Sequence, residues 1–468
     1  MRIGIFIVCA SICGFGDSIK EPMDALPDIP VLIEEYIDVR EGVGAAVGWI
    51  ENGKIQYFTN GKKSANQDDP ISEKTVFEIG SITKAFTTLV LMDMANRNEI
   101  ELDAPLETYI PGIKIPEKDG TKITLRHLAV HTSGIPRMPD NFNPKNPNNP
   151  YLDYSIDNLY EYLSHCNLDK TPGEQFEYSN IGMGILSHTL SLKSNRSYEE
   201  LIQNAVCEQL DMRNTSVSLT PEMETHFAKG HILRQEVEHW DFPFLPGIGG
   251  LRSNIQDMTR FLAANMGLSG FPTERLMKEC QKVQITLPVF TLGVGLGWFS
   301  TPRPEGDIIW HNGGTGGFRS FLGFNPKTQQ GVVILTNSND DWPDELGWVL
   351  LDPAFIRPRI DRSLANDPDY LSKCSGIYDV TLLREFPNQP LFQELQIIAL
   401  GKRLWLGLSG GLSGVIYPES FGVFGLKDFP DSKVHFSFDD EGKVAKIQTL
   451  LKSTQEILWE ARPKRKAE

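Results

Sequence analysis

Phe77-Glu78-Ile79-Gly80-Ser81-Ile82-Thr83-Lys84-Ala85-Phe86-Thr87 is the stretch that decides how this chain is read. Apolar residues recur behind it at helical spacing (Phe86, Leu89, Val90, Met92, Met94), so a helix is expected from about Ile82 to Asn98. If Ser81 opens that helix, Lys84 lies one turn later on the same face, with its amine in reach of the hydroxyl. The helix N-terminus adds positive potential where an alkoxide would form, and a desolvated lysine beside a serine activates a weak nucleophile. The same spacing also suits a plain helix cap, so it takes its meaning from its companions.

Two companions follow. In Glu177-Tyr178-Ser179-Asn180, a tyrosine and an asparagine two apart can face one way, one to move a proton and one to donate and accept hydrogen bonds. In His311-Asn312-Gly313-Gly314-Thr315-Gly316-Gly317, four glycines at the end of a β-rich run let a ligand approach the backbone. A backbone N–H there can form half an oxyanion hole, although a tight hairpin would use the same glycines.

Taken together, Ser-x-x-Lys, Tyr-x-Asn and His-x-Gly in this order resemble class C β-lactamases, the related DD-peptidases and the β-lactamase-like esterases. The flanks agree: His131-Thr132-Ser133-Gly134 within 125–136, Pro172-Gly173 before Phe176, and Gly249-Gly250-Leu251-Arg252-Ser253 are similar to that family. The match covers roughly residues 30 to 350, and the tail resembles the lipocalin-like domains attached to some members. The resemblance implies that Ser81 is the acylated nucleophile, Lys84 its proton acceptor or field source, and Tyr178 the partner acid/base. It implies that Asn180 holds the substrate amide and Lys84. It also implies that His311, Gly313 and Gly314 line the substrate, with the N–H groups of Ser81 and Gly314 as the oxyanion hole. Lys84 and Tyr178 titrate as a unit, so either can be the base.

One departure is chemical. Class C enzymes usually carry lysine where this chain has His311, while several peptidases and esterases have histidine. A lysine is charged at all times, whereas a histidine with an ordinary pKa near ~6.5 is charged about a quarter of the time at pH 7. If His311 reads charge, anionic substrates bind better as pH falls from about 8 to about 6. If it is a neutral hydrogen-bonding anchor, they do not.

Around these motifs the sequence reads as an α+β body. Val43–Ile50 and Ile55–Thr59 are strands joined by the turn Glu51-Asn52-Gly53-Lys54. Residues 137–155, rich in Asn and Pro, form a long loop, and helical patterns recur over 159–164, 181–192 and 198–210. Strands Ile308–Trp310, Phe318–Phe324 and Gly331–Thr336 pair antiparallel and are expected to share a sheet with the first hairpin. Beyond a polar stretch at 360–368, seven short strand-like runs predict a small all-β barrel or sandwich. The expected architecture is a β-lactamase/DD-peptidase-like fold, an antiparallel sheet flanked by helices with a helical subdomain, over 17–361. The barrel follows over 362–468.

Composition narrows the partners. Among 468 residues, 45 Lys plus Arg face 61 Asp plus Glu, a formal net charge of -16 that repels phosphate backbones and argues against nucleic acid. No apolar run reaches the ~20 residues of a membrane span. Residues 1–16, with Arg2 followed by an apolar stretch and Gly14-Phe15-Gly16, match a secretory signal, so export to a periplasm or beyond is expected. Two of the six cysteines lie in that segment, and the other four are scattered without a zinc or disulfide pattern.

His127 and His131 are four apart but lack a third ligand, so neither metal nor cofactor is expected. Gly407-Leu408-Ser409-Gly410-Gly411 mimics a nucleophile elbow without the helix or the triad histidine it needs. The expected activity is acyl-enzyme hydrolysis of an amide, lactam or ester. A D-Ala-D-Ala-type carboxypeptidase or β-lactamase-related hydrolase leads. A carboxylesterase of the same fold and a non-turnover penicillin-binding sensor are the alternatives. The partner would be a small molecule or peptide, such as a cell-wall peptide or β-lactam.

Overall fold

The computed structural model describes residues 28–288, 291–355, 360–382, 394–408, 413–426, 429–451 and 457–464. The leader-like residues 1–16 and Ser409 lie outside them. Among the described residues the chain divides into two compact units, Ile29–Ile37 with Gly42–Pro353, and Asp38–Glu41 with Ala354–Glu468.

The larger unit is built on an eight-stranded antiparallel sheet. Its strands are β1 (Gly44–Glu51), β2 (Lys54–Gly61), β3 (Ile285–Leu287), β4 (Leu292–Val294), β5 (Phe299–Thr301), β6 (Ile308–Gly314), β7 (Arg319–Asn325) and β8 (Gln330–Thr336). They lie in the order β2-β1-β8-β7-β6-β5-β4-β3, so the first hairpin does join the C-terminal strands. Asn52 and Gly53 both take positive φ, 51° and 73°, the two left-handed residues a tight hairpin turn needs. β3, β4 and β5 were not expected from the sequence, because three residues apiece are too few to show a period of two.

Four helices fix the site: α1 (Thr83–Asn96), α2 (Asn180–Ser194), α3 (Ile255–Asn265) and α4 (Trp342–Leu351). α3 lies on one face of the sheet, close enough that a Cβ on Gly48 would fall 2.0 Å from Thr259 Oγ1. α4 lies on the other face, where Gly347 leaves room for the Phe321 ring. α1 is buried almost all round, from Thr83 to Leu91 and again at Met94, and its Phe86 stacks on Phe261 at 4.0 Å. Such a helix is core on every side, which is why it shows little amphipathic contrast.

The smaller unit is a closed eight-stranded antiparallel barrel, β9 (Gly376–Leu382) through β16 (Ile457–Pro463), each strand paired to the next. Alternate residues (Leu395 and Ile397, Leu404 and Leu406, Phe424, Val434 and Phe436) fill its interior, and Tyr370 and Leu371 from the preceding helical turn join them. The sequence suggested seven runs. The eighth, Ser413–Ser420, is masked in sequence by its glycine and by Pro418, which sits at a register shift where a lost N–H is tolerated.

Candidate active site

Three backbone segments meet around Ser81. Val76–Glu78 pairs with Arg252–Asn254, and the Ile79 N–H donates to the Leu251 carbonyl at 3.1 Å. The Ile79 carbonyl accepts from Ser320 Oγ on β7 at 2.9 Å. Gly80 then takes φ +50°, and a Cβ there would fall 2.5 Å from the Gly314 nitrogen. A Cβ on Gly313 would lie 2.1 Å from the Ile79 oxygen, and one on Gly249 3.3 Å from the Gly80 carbonyl carbon. Glycine on each segment lets main chain touch main chain. Ser81 emerges from that contact in the 3₁₀ turn Gly80–Ile82 that leads into α1.

Lys84, one turn on, is fully buried. Its Nζ lies 2.9 Å from Ser81 Oγ and 2.6 Å from the Ile248 carbonyl oxygen. Burial, and then the positive charge of Arg137, hold the Lys84 amine well below the usual lysine range. Ile248 closes the 3₁₀ turn Pro246–Ile248, which rests on α2 where Gly184 leaves room. Asn180 does not hold Lys84. Among the described residues its buried Oδ1 has no hydrogen-bond partner, and the side chain hydrogen-bonds Tyr151, so the Ile248 carbonyl takes the place expected for it.

Tyr178 is framed by 131–137. His131 Nδ1 accepts from the Ser179 N–H at 3.2 Å, and the His131 carbonyl accepts from the Glu177 N–H at 2.8 Å. Ser179 caps α2 through its hydroxyl and donates to the Pro136 carbonyl at 2.8 Å. The Arg137 carbonyl accepts from both Asn180 (3.0 Å) and Ile181 (3.2 Å). The Tyr178 ring lies 4.5 Å from the His131 ring, and its hydroxyl hydrogen-bonds Ser81. Burial raises the phenol above its ordinary pKa, opposed by that hydrogen bond and by Arg137 and Arg319. Burial pushes His131 far down, so a neutral imidazole backs the tyrosine. The His127/His131 pair thus serves structure, His127 capping a short helix and His131 holding Ser179.

On the far side runs β6. The Thr315 N–H bonds the Phe318 carbonyl, so by antiparallel alternation Gly313 and His311 also address β7, while Gly314 and Asn312 point the other way. On that other side the ladder with β5 ends at Phe299–Trp310. The Gly314 N–H therefore lies on an unpaired strand edge beside Gly80 and Ser81.

His311 corrects the expectation of a pH-dependent charge reader. It is buried, its Nδ1 donates to the Asn312 carbonyl at 2.6 Å, and its Nε2 has no partner among the described residues. Burial first, and the neighbouring Lys84 second, push its pKa down to about 3. It is a neutral imidazole throughout the range in which the sequence left it switching.

Just before the serine, Glu78 is buried against Arg252 at 3.6 Å and accepts the Trp240 N–H at 2.9 Å. Burial outweighs the arginine and raises its carboxyl to about 7.

Ser81, Lys84 and Tyr178 thus form one hydrogen-bonded cluster, with Gly313 and Gly314 against it and His311 6.4 Å from the Tyr178 ring. Such a set can move a proton off a hydroxyl and meet developing negative charge with backbone N–H groups. Sequence reasoning missed Ile248, which acts through its carbonyl and has no side-chain signature. It also missed Arg137 and Tyr151, which lie in or beside the Asn/Pro-rich loop and match no motif.

The sequence model of a family described as Beta-lactamase matches residues 32–353. The chain is 27% identical over 341 residues to a beta-lactamase of Escherichia coli K12, covering 66% of this chain and 87% of that one. In fold it is similar to the octameric penicillin-binding protein homologue from Pyrococcus abyssi, with a TM-score of 0.64 and 22% identity over 92% of this chain and 98% of that one. It is also similar to a beta-lactamase/D-alanine carboxypeptidase from Yersinia pestis, with a TM-score of 0.61 and 22% identity over 68% of this chain and 97% of that one. With the family match spanning 32–353 of its 468 residues, the chain belongs to the beta-lactamase family of serine hydrolases.

Proposed function

We propose that this chain hydrolyses small esters and amides through an acyl-enzyme on Ser81. The observation that carries the reading is the buried Lys84 amine, 2.9 Å from Ser81 Oγ and held low in pKa beside a phenol held high. The directions divide the labour. The uncharged amine takes the Ser81 proton as Oγ bonds the substrate carbonyl carbon. The carbonyl oxygen, now negative, accepts from the N–H groups of Ser81 and Gly314. Tyr178 gives its proton to the departing oxygen or nitrogen as that bond breaks, and Lys84 returns a proton to Tyr178. Water then repeats the sequence against the acyl-serine, releasing acid and free Ser81. Asn180 Oδ1, buried and without a partner among the described residues, accepts from a substrate N–H.

The neutral His311 supplies no charge on the β6 side, so an ester whose group lying along that side is uncharged suits the site. The D-alanyl carboxypeptidase and β-lactam reading is second, favoured by the likeness to the Yersinia pestis protein and by the Asn180 acceptor. Arg2 and the apolar stretch after it in residues 1–16 support an export signal, and with it a periplasmic or secreted hydrolase, as part of this reading. The test is labelling with a fluorophosphonate and a fluorescent penicillin, followed by the rate of label loss. Ser81→Ala should abolish labelling and cut turnover at least ~10³-fold, while Ser409→Ala should stay within about two-fold. Full labelling of the Ser81 variant would sink the mechanism. Retention of label over hours in the parent would leave a penicillin-binding protein without turnover.

A further inference from the structure

We propose that Arg137 is a specificity-determining residue that selects substrates carrying a carboxylate on the portion lying along Asn180 and Tyr151. The inference rests on Ser81 being the acylated residue, and it names the substrate class for that site.

Arg137 is exposed, yet its main chain is pinned. Its carbonyl accepts both the Asn180 and Ile181 N–H groups, which ties it to the helix start that positions Asn180. Its guanidinium carbon lies 5.2 Å from the centroid of the Tyr178 ring, on the residue that hydrogen-bonds Ser81. Its charge is felt at Lys84, His131, Tyr151 and Tyr178, so it sits at the head of the site. Among the described residues no carboxylate pairs with it, and Glu177, the residue before Tyr178, is bound by Lys170 at 2.6 Å. The other guanidinium facing Tyr178, that of Arg319, is bound to Asp344 at 2.7 Å.

In a chain of net charge -16, an arginine left without an acid at a reaction centre has lost ion-pair energy available elsewhere on the surface. Its place over the Tyr178 ring keeps the guanidinium at the site, and a guanidinium there can meet a planar carboxylate with paired N–H groups. The second mark of a ligand lies beside it. Asn180 Oδ1 is buried without a partner among the described residues, and the Asn180 side chain reaches Tyr151. A substrate N–H for Asn180 and a carboxylate for Arg137 would complete both. His311 is uncharged, so the selectivity belongs to the Arg137 guanidinium.

The probes are 4-nitrophenyl hydrogen adipate and its methyl ester, which share the 4-nitrophenyl ester and the acyl chain, the second masking the carboxylate with one methyl group. In the parent, kcat/KM should favour the anionic ester, and the ratio should fall as salt is raised. Arg137→Gln should lower that ratio about tenfold, the usual scale of a charge-assisted hydrogen bond, and Arg137→Lys should restore most of it. If the Gln variant keeps the parent's ratio while a fluorophosphonate still labels Ser81, Arg137 does not read substrate charge and the acyl-enzyme reading stands. If the parent is not labelled at Ser81, that reading falls and this one with it.

Discussion

The Lys84 amine lies closer to the carbonyl oxygen of Ile248 than to the hydroxyl of Ser81, 2.6 Å against 2.9 Å. An uncharged amine has two N–H groups and one lone pair. Giving an N–H to a carbonyl that the Pro246–Ile248 turn holds in place leaves the lone pair to face the Ser81 O–H. The glycine-rich turn therefore orients the proposed base as well as making room for it. Several consequences can be measured.

Lys84→Met should lower turnover at least ~10³-fold and yet raise stability by about 1 kcal/mol, seen as a few degrees in Tm at pH 7. The sign follows from the depressed pKa. At neutral pH the unfolded lysine binds a proton that the folded one resists, so this residue costs stability there. The cost fades as pH rises into the ordinary lysine range, and the gap between variant and parent should shrink in melts at pH 9.5. A gap of the same size at both pH values would mean that Lys84 is charged in the fold.

His311 should not make substrate choice depend on pH. With its pKa pushed down to about 3, the kcat/KM ratio of an anionic over a matched neutral ester should stay within about two-fold from pH 8 to pH 6. A several-fold rise on acidification would restore the histidine as a charge reader. The same shift affects the fold. The unfolded histidine protonates near ~6.5, so stability should drain away as pH falls from there toward 3, and His311→Gln should blunt that loss.

Glu78→Gln should act with the opposite pH dependence. The folded carboxyl holds its proton up to about 7 while the unfolded one releases it near ~4.3, so the parent loses stability as pH rises through that window. Glutamine keeps an acceptor for the Trp240 N–H and cannot ionise. The Tm difference, variant minus parent, should be more positive at pH 8 than at pH 5. An unchanged difference would show that Arg252 fully compensates the buried charge.

Ending the chain after residue 361 should leave a folded protein that still labels at Ser81, because Ser81, Lys84, Tyr178, Asn180 and Gly314 all precede that point and the barrel has a core of its own. Circular dichroism and fluorophosphonate labelling of the shortened chain would decide. Collapse into aggregate would argue that residues 17–361 are not a domain.

Much of this arrangement is legible in the sequence, for stated physical reasons. The helix after Ser81, the first hairpin and the three long strands announce themselves because Asn52-Gly53, Phe86 to Met94 and Val332 to Leu335 carry turn, helix and buried-strand signals. Ser81, Lys84, Tyr178 and Asn180 are visible because side-chain chemistry needs particular residue types. Ile248 is invisible because any residue offers a carbonyl. His311 was legible as an anchor but not as a neutral one, since its pKa depends on burial that spacing does not encode. Arg137 and Tyr151 come to the site only through the path of a long loop.

The close approach of Gly80 to Gly314, of Gly313 to Ile79 and of Gly249 to Gly80 bears on how such a protein can change over time. A methyl group at any of these points would wedge the serine away from the strand edge, so the reacting atoms cannot be re-aimed by small steps in side-chain size. The rim is different. Arg137 and Tyr151 stand on or beside a loop that can be rewritten without moving that contact. Lineages that keep the glycines would then inherit one reaction and be free to trade one substrate for another.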